Sequence, residues 1–236
     1  MNDKALSGKI ALVTGASRGI GAATAEALGK AGAHVILVAR SAAALEEVEE
    51  RIHAAGGGAT IAPLDLSEGQ SIGKLAGAVA ERWEKLDILV MNAAMLGSLS
   101  PVQDIDAKEY ARILTLNVAA NQALIAAFDP SLRRSGGGDV VAITSSVGHQ
   151  PRAFWGAYGS SKAALENLAL SYADETQRFG IRVHVINPGA TRTKMRALAF
   201  PGEEPESVKP PEVVADFILD RLSSDPPTGE LVTVEG

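Results

Sequence analysis

Short apolar runs alternate with helix-forming segments along nearly the whole chain. The runs that predict strands are rich in β-branched and aliphatic residues. They are Ile10–Thr14, His34–Ala39, Thr60–Leu64, Ile88–Asn92, Val140–Thr144, Arg182–Ile186 and Leu231–Val234. Such alternation predicts a parallel sheet with right-handed crossovers and helices on both faces. We therefore expect an α/β fold, a doubly wound parallel sheet of about seven strands.

Composition favours one domain. The 236 residues are 46% apolar and 21% charged, which is enough for one sizeable core. Gly56–Gly58 and Gly136–Gly138 each precede a predicted strand, so we interpret them as helix-to-strand turns rather than linkers. We expect residues 1–236 to form a single domain.

Several classes of function are disfavoured. Without cysteine the chain has no disulfide or thiolate chemistry, which favours a reducing compartment. The histidines His34, His53, His149 and His184 form no ligand spacing, so no metal site is expected. A net charge of −6 without clustered Lys and Arg argues against nucleic acid.

Membrane and export signals are also not expected. The segment Met1–Lys4 opens no cationic-then-apolar signal, and no apolar run approaches the roughly 18 residues that span a bilayer. The sequence therefore predicts a cytoplasmic protein with no membrane partner.

A glycine-rich loop follows the first predicted strand. Gly15-Ala16-Ser17-Arg18-Gly19-Ile20-Gly21 stands between that strand and an alanine-rich helical segment. Glycines lack Cβ atoms, so the backbone N–H groups and the helix N-terminus can approach a pyrophosphate. The spacing is G-x3-G-x-G, which differs from the commonest dinucleotide fingerprint. A plain tight turn is the alternative.

Tyr158 and Lys162 are four residues apart in a segment that predicts a helix, so the phenol and the ammonium share a face. A fixed positive charge favours phenolate and would move the tyrosine pKa from about 10 toward neutrality. Ser145 stands thirteen positions upstream, at the end of a predicted strand. Alternatively, the pair lines a solvated edge by chance.

Polar side chains collect where the predicted strands end. Ligands of parallel α/β sheets bind beyond the carboxyl ends of the strands. The residues at or just after those ends are Thr14, Ala39, Asp65, Asn92, Ser145 and Asn187.

Taken together, these motifs resemble the single-domain short-chain dehydrogenases/reductases nearly end to end. The matching residues are Thr14–Gly21, Asp65-Leu66, Asn92-Ala93-Ala94, Asn117, Ser145, Tyr158-Gly159-Ser160-Ser161-Lys162 and Asn187-Pro188-Gly189 with Thr193. The resemblance implies a Rossmann-like dinucleotide-binding and catalytic domain. It also implies hydride transfer between NAD or NADP and a carbonyl/alcohol substrate.

The resemblance implies a catalytic set of Asn117, Ser145, Tyr158 and Lys162. Tyr158 would be the acid–base, and Ser145 would stabilise charge on the substrate oxygen. Lys162 would lower the phenol pKa and hold the nicotinamide ribose, while the Asn117 backbone would help hold a water. Ser146 is the alternative serine, but the family spacing to the tyrosine selects Ser145.

Cofactor contacts are implied in the same way. They are Gly15, Ser17, Arg18, Gly19, Ile20, Gly21, Arg40, Asp65, Leu66, Asn92, Ala93, Tyr158, Lys162, Pro188, Gly189, Thr191 and Thr193. Ala39 occupies the position where NAD enzymes carry an acid, and Arg40 follows it. With Arg18 as a second cation, NADP is expected over NAD. Asp65 could instead cap a helix that begins near Ser67.

Two departures from the family pattern stand out. Met91 and Ala94 flank Asn92-Ala93 where the family has Asn and Gly. The substrate-covering region, Lys194–Pro210, is short and contains three prolines. We therefore expect an open pocket or a small lid.

Substrate identity does not follow from these motifs. His149, Gln150, Arg152, Phe154 and Trp155 lie between the serine and the tyrosine, where an aromatic wall with an anion contact is one interpretation. Phe154 and Trp155 could equally pack helices.

Two predicted helices bear on assembly. The helices at Asn117–Leu132 and Ala157–Phe179 resemble family faces that form homodimers or homotetramers, although an intrachain core would give the same pattern. The residues that suggest such a face are Ala119, Ala123, Ala164, Leu168 and Tyr172.

Three functions fit the sequence. An NADP-dependent oxidoreductase acting on a small-molecule carbonyl or alcohol is favoured. A non-catalytic NADP-binding sensor or scaffold is the alternative. Epimerase or dehydratase chemistry is disfavoured because such relatives carry longer C-terminal substrate regions than the one after Thr228–Val232.

Overall fold

The computed structural model describes residues 4–235, and within them seven strands form one parallel sheet in the order β3-β2-β1-β4-β5-β6-β7. The strands are β1 (Ile10–Thr14), β2 (His34–Ala39), β3 (Gly58–Pro63), β4 (Ile88–Met91), β5 (Asp139–Ile143), β6 (Arg182–Asn187) and β7 (Glu230–Thr233). Residues 1–3, which belong to the N-terminal segment interpreted above, lie outside the described residues, as does Gly236.

The helices connect successive strands. They are α1 (Gly19–Lys30), α2 (Ala42–Ala54), α3 (Ser71–Arg82), α4 (Ala107–Leu114), α5 (Ala120–Arg134), α6 (Ser146–His149), α7 (Gly156–Thr176), α8 (Lys194–Ala199) and α9 (Pro211–Ser223). A π-helical segment, Thr115–Ala119, joins α4 to α5, and 3-10 turns lie at Val102–Asp104, Gln177–Phe179 and Pro205–Ser207. The predicted doubly wound parallel sheet is confirmed.

Two apolar cores lie on opposite faces of the sheet. One packs α1, α2 and α9 against the sheet through residues such as Leu28, Val48 and Ile218. The other packs α3, α5 and α7 through Leu75, Phe128 and Leu165. Neighbouring residues of each strand point to opposite faces, so both faces of these parallel strands are apolar.

Strand bounds shift by one or two residues from the prediction, except in β1 and β2. The clearest shift is in β3, which begins at Gly58 inside a glycine run interpreted as a turn. Gly58 pairs with His34 of β2, and a Cβ at Gly58 would lie only 2.9 Å from His34 Nδ1. Gly58 is therefore needed as a paired residue of β3, where a side chain would not fit, and is not part of the turn after α2.

Two helix predictions need correction. No helix begins near Ser67, because the Asp65 carboxylate accepts the Ser67 N–H at 2.9 Å in a local turn, and α3 begins at Ser71. The helix predicted at Asn117–Leu132 is interrupted at its start by the π-helical segment.

The helical run Ala107–Arg134 also differs from the expectation that no apolar segment approaches membrane-spanning length. It has 28 residues and an 18-residue window of mean hydropathy 1.2, with 33% of that window buried in the protein. Core helices of soluble proteins meet the same criteria, so this single helix does not assign a membrane.

Buried ion pairs hold the amino ends of the strands together. The Asp87 carboxylate, 1% exposed, accepts the Ile10 N–H at 2.9 Å and the ammonium groups of Lys9 and Lys85. Burial alone would raise the pKa of Asp87, but these hydrogen bonds hold it below its usual range.

A second carboxylate completes this cluster. The Asp139 carboxylate accepts two hydrogen bonds from Arg182. Its Oδ1 also lies 2.8 Å from His184 Nε2. A cavity of about 170 Å³ lies beside both carboxylates, at the edge of the sheet opposite the strand ends that carry the predicted site. The charged side chains that line this cavity are paired with one another, so we assign the cluster a role in stability rather than in binding.

Candidate active site

The glycine loop takes the strand–loop–helix form predicted for it. Gly15 and Gly19 have φ values of +64° and +57°, in the left-handed region that favours glycine. A Cβ at Gly15 would lie 2.8 Å from Asn92 Nδ2, and one at Gly21 would collide with the Gly15 carbonyl oxygen. The loop therefore passes close to the end of β4 and exposes Arg18 just before α1 begins.

Asn92 and Thr14 hold this loop in place. Asn92 Nδ2 donates to the carbonyl oxygens of Thr14 at 2.9 Å and Gly15 at 3.3 Å. Thr14 Oγ1 accepts the N–H groups of Asn92 and Ala93 and donates to Val90 O. The Asn92 side chain, which was predicted to contact the cofactor, thus supports the loop. Thr14 was not among the predicted site residues.

The departures at the end of β4 leave this network intact. Met91 is 1% exposed and packs in the core formed with α3, α5 and α7. The main-chain N–H and C=O groups of Met95, just beyond Ala94, are both bonded to Asn117.

Asn117 lies fully buried inside the π-helical segment. Its Oδ1 accepts the Met95 N–H at 2.9 Å, and its Nδ2 donates to Met95 O and to Ser161 Oγ, each at 2.9 Å. Its main-chain oxygen accepts a hydrogen bond from Asn121 Nδ2 at 2.8 Å. The side chain, rather than the backbone alone, therefore ties the loop after β4 to α7.

Tyr158 and Lys162 lie on α7 and are both buried, with exposed fractions of 7% and 2%. Lys162 Nζ lies 5.6 Å from the centroid of the Tyr158 ring and donates to Ile143 O at 2.7 Å. The shared face predicted for the pair is present, and the alternative of a solvated edge is wrong.

Burial reverses the pKa shift expected of the tyrosine. It raises the pKa of Tyr158, because removing the phenolate from water disfavours the charged form. Burial also lowers the pKa of Lys162 to about 8, and the nearby Glu166 carboxylate opposes that shift. In the free protein the phenol therefore keeps its proton.

Ser145 lies two residues after the end of β5 and is the N-cap residue of α6. Its backbone is extended and its side chain makes no capping hydrogen bond, so the hydroxyl is not used in the cap. Ser146 lies within α6 and is exposed.

Glu166, one turn after Lys162, was not predicted as a site residue. It is 7% exposed, and its Oε1 accepts a hydrogen bond from Thr144 Oγ1 and lies 3.1 Å from His149 Nδ1. A Cβ at Gly148 would lie 2.6 Å from this oxygen. The carboxylate therefore fixes α6 and the end of β5 against α7.

The residues predicted to contact the adenosine end of the cofactor differ in their exposure to solvent. Arg40 is exposed, and its Nη1 lies 4.0 Å from Asp65 Oδ2. Leu66 is buried in the core, while Ser17 and Ile20 are half-buried in the glycine loop and the first turn of α1.

The segment after β6 is internally bonded. Thr191 Oγ1 donates to Pro188 O at 3.0 Å, and the Gly189 N–H donates to Asn187 Oδ1. Thr193 caps α8 by accepting the Arg196 N–H at 3.1 Å. Its methyl group would lie 3.3 Å from a Cβ at Gly19, so this segment and the glycine loop face each other.

An aromatic wall extends outward from Tyr158. The Trp155 ring lies 6.0 Å from the Tyr158 ring and 5.8 Å from the Phe200 ring, centroid to centroid. Phe154 is 56% exposed and is not part of it. The region Lys194–Pro210, for which an open pocket or a small lid was expected, contains α8 and the Pro205–Ser207 turn.

Within residues 4–235 no group of three or more His, Cys, Asp or Glu side chains could hold a metal ion. The fold and site thus define a dinucleotide-binding α/β protein with a buried tyrosine–lysine pair at the carboxyl edge of its sheet.

Comparison with known proteins agrees with this class. Residues 9–204 match the family model of the short chain dehydrogenases. YciK of Escherichia coli K12, an uncharacterized oxidoreductase, is 38% identical over 223 residues, which cover 93% of this chain and 88% of that protein. The chain belongs to the short-chain dehydrogenase/reductase family.

Two solved structures extend the comparison. A short chain dehydrogenase of Pseudomonas syringae has a TM-score of 0.95 and 38% identity, covering 99% of this chain and 97% of that one. One from Shigella flexneri, solved with NADP, has a TM-score of 0.92 and 36% identity, covering 99% of each chain.

Proposed function

We propose that this protein is an NADP-dependent oxidoreductase that transfers hydride between nicotinamide and a carbonyl/alcohol substrate. The observation that carries the proposal is the buried Tyr158–Lys162 pair, tied to the end of β5 by the bond from Lys162 to Ile143 O. The proposal treats residues 1–236 as one dinucleotide-binding and catalytic domain.

The glycine loop fits a dinucleotide. Side chains at Gly15 and Gly21 would collide with the loop or with Asn92, and the N-terminus of α1, which no side chain caps, follows. Bound NADPH would supply the hydride. The similar protein from Shigella flexneri was solved with NADP, which supports this choice.

Two exposed arginines support NADP over NAD. Ala39 ends β2 without a carboxylate that would repel a 2′-phosphate, and Arg40 follows it. The contact between Arg40 and Asp65 is long and exposed, so it holds the guanidinium weakly. Arg40 is therefore free to turn toward a phosphate, with Arg18 as a second cation.

In the reducing direction, Tyr158 would donate its proton to the carbonyl oxygen, and Ser145 would donate a hydrogen bond to the same atom. Lys162 would stabilise the phenolate left behind. Asn117 would hold the Met95 loop against α7 and so keep this pocket in shape.

We also propose a cytoplasmic homo-oligomer assembled through α5 and α7. Ala119, at the end of the π-helical segment, is exposed, and Ala123, Ala164 and Leu168 on α5 and α7 are half-buried, which leaves apolar surface along these helices. Tyr172 instead belongs to the core and donates to Asp129 Oδ1. Sedimentation analysis of the purified protein tests the assembly.

The test of function is the absorbance of NADPH and NADH with ketones, aldehydes, quinones and 3-oxoacyl thioesters. Oxidation of NADPH by members of this panel supports the proposal. Normal NADPH binding without turnover on any of them would favour a non-catalytic NADP sensor or scaffold.

A further inference from the structure

Two arginines flank the outer end of the aromatic wall. Arg196 Cζ lies 3.7 Å, and Arg152 Cζ 5.2 Å, from the centroid of the Phe200 ring. The Phe200 ring packs on Trp155, which packs on Tyr158. A row of rings therefore runs from the proposed acid–base to two guanidinium groups.

The two guanidinium groups differ in their partners. Arg196 donates to both carboxylate oxygens of Glu203, at 2.7 Å and 2.6 Å, so its charge is neutralised. Across residues 4–235, Arg152 has no carboxylate within 4.0 Å. Arg152 therefore leaves an uncompensated positive charge beside the Phe200 ring, at the outer end of the aromatic wall.

Local backbone structure fixes the position of Arg152. The Trp155 N–H donates to Arg152 O at 3.1 Å, which closes a turn between the two residues. Phe154, inside the turn, has φ +72°, and its carbonyl oxygen accepts the Ser100 N–H at 3.1 Å. A left-handed phenylalanine is rare and persists only where its surroundings hold it. The turn brings Arg152 and Trp155 to the same ring.

The residues packed around Tyr158 are apolar. Leu96 and Val147 are buried against Tyr158, and Leu99, Met195 and Ala199 pack onto the same cluster. A substrate whose carbonyl reaches Tyr158 would thus place an apolar body along this cluster and its outer end near Phe200.

We infer that the preferred substrates are carbonyl compounds with an apolar, flat body and a carboxylate at the far end, bound by Arg152. This inference rests on the proposed function. A guanidinium group matches a carboxylate with two parallel N–H donors, and an aromatic neighbour holds its plane. Arg152 would be a specificity-determining residue that never contacts the reacting carbonyl.

Binding to the protein saturated with NADP⁺ tests the inference, because a ketone cannot turn over in that complex. The probes are 4-acetylbenzoate, 4′-acetylbiphenyl-4-carboxylate and the methyl ester of each, titrated by calorimetry. We expect at least one acid to bind about 10-fold more tightly than its ester, with the advantage shrinking as salt is added.

Two variants separate charge from packing. Arg152→Gln should weaken the acid about 10-fold and leave the ester within about 2-fold. Arg178→Gln is the matched control, because Arg178 also lies over a phenylalanine ring, Phe179, but beyond the far end of α7. It should leave both affinities unchanged.

Equal affinities of acid and ester, no binding of any probe, or an equal loss of both in Arg152→Gln would overturn the inference. Turnover separates it from the proposed function. If the esters oxidise NADPH as fast as the acids and bind with equal affinity, the carboxylate site is contradicted and the oxidoreductase function still stands. Preferential acid binding without NADPH oxidation would support the site and count against the oxidoreductase.

Discussion

Lys162 Nζ donates a hydrogen bond to the carbonyl oxygen of Ile143 at 2.7 Å. Ile143 is the last residue of β5, two positions before Ser145, whereas Lys162 is one turn after Tyr158 on α7. This one bond therefore fixes the strand that carries the serine relative to the helix that carries the tyrosine. It also keeps the ammonium beneath the aromatic ring.

Lys162→Met should lower kcat/KM for NADPH-dependent reduction by a factor of about 10² to 10⁴, because the positive charge beside the phenol is lost. Lys162→Arg should restore little of the lost kcat/KM, since the planar guanidinium cannot replace a compact ammonium. Steady-state kinetics measure both. A Met variant with wild-type kcat/KM would contradict the role given to the lysine.

The same lysine makes a pH prediction for stability. Its pKa is lowered to about 8 in the folded protein and is about 10.4 in an unfolded chain. The unfolded state binds more protons between these values, so the Lys162 contribution to the free energy of unfolding rises as pH increases from about 8 to 10.4. Urea unfolding of the cofactor-free protein should show this rise, and Lys162→Met should remove it.

Asn117→Ala should reduce the free energy of unfolding by roughly 2–4 kcal/mol, because it leaves the Met95 main-chain groups unpaired in a partly buried site and removes the hydrogen bond to the Ser161 hydroxyl. Asn167→Ala, at an exposed position of α7, is the control and should change it by less than about 0.5 kcal/mol. Denaturant unfolding compares the two. If both variants change the free energy of unfolding by the same small amount, the hydrogen bonds of Asn117 do not contribute to stability.

Asp87→Asn tests the amino edge of the sheet separately from the active site. Because the folded pKa is depressed, the stabilisation from this carboxylate is complete above its unfolded value of about 3.9 and is lost as pH falls through the lower folded value. The variant should lose about 1–3 kcal/mol at pH 7 and show a shallower decline below pH 4. Its kcat per folded molecule should match wild type.

Arg40→Ala should raise the Kd for NADPH about 10-fold or more and leave the Kd for NADH nearly unchanged, because only NADPH carries the 2′-phosphate. Arg51→Ala, which removes an exposed arginine paired with Glu26, is the control. Fluorescence titration of both cofactors measures the effect. Equal weakening of NADPH and NADH would place Arg40 elsewhere than at the phosphate.

Strand content could be predicted from the sequence because buried parallel strands are continuous apolar runs, such as Leu12–Val13 and Val140–Val141. The tyrosine–lysine face could be predicted because helical spacing alone sets it. The π-helical segment at Asn117 could not, because it depends on bonds to Met95 and Ser161, residues distant in sequence.

Burial explains most of the remaining differences. Without cofactor, burial raises the Tyr158 pKa, a shift that could not be predicted because spacing reveals a neighbouring charge but not the exclusion of water. Glu166 was missed because a Glu on a helix is usually exposed, and its partners Thr144 and His149 belong to other elements. That Trp155 but not Phe154 belongs to the aromatic wall could not be predicted, because Phe154 has a left-handed backbone and an exposed side chain.

The most direct test of the account is the Tyr158→Phe variant, which removes one oxygen from a buried ring. We expect NADPH to bind as it does to wild type while kcat for carbonyl reduction falls by a factor of about 10² to 10⁴, since the proton donor is gone. Cofactor titration and single-turnover kinetics on the same preparation provide both values. A variant that binds NADPH normally and keeps the wild-type kcat would contradict the assignment of Tyr158 as the acid–base.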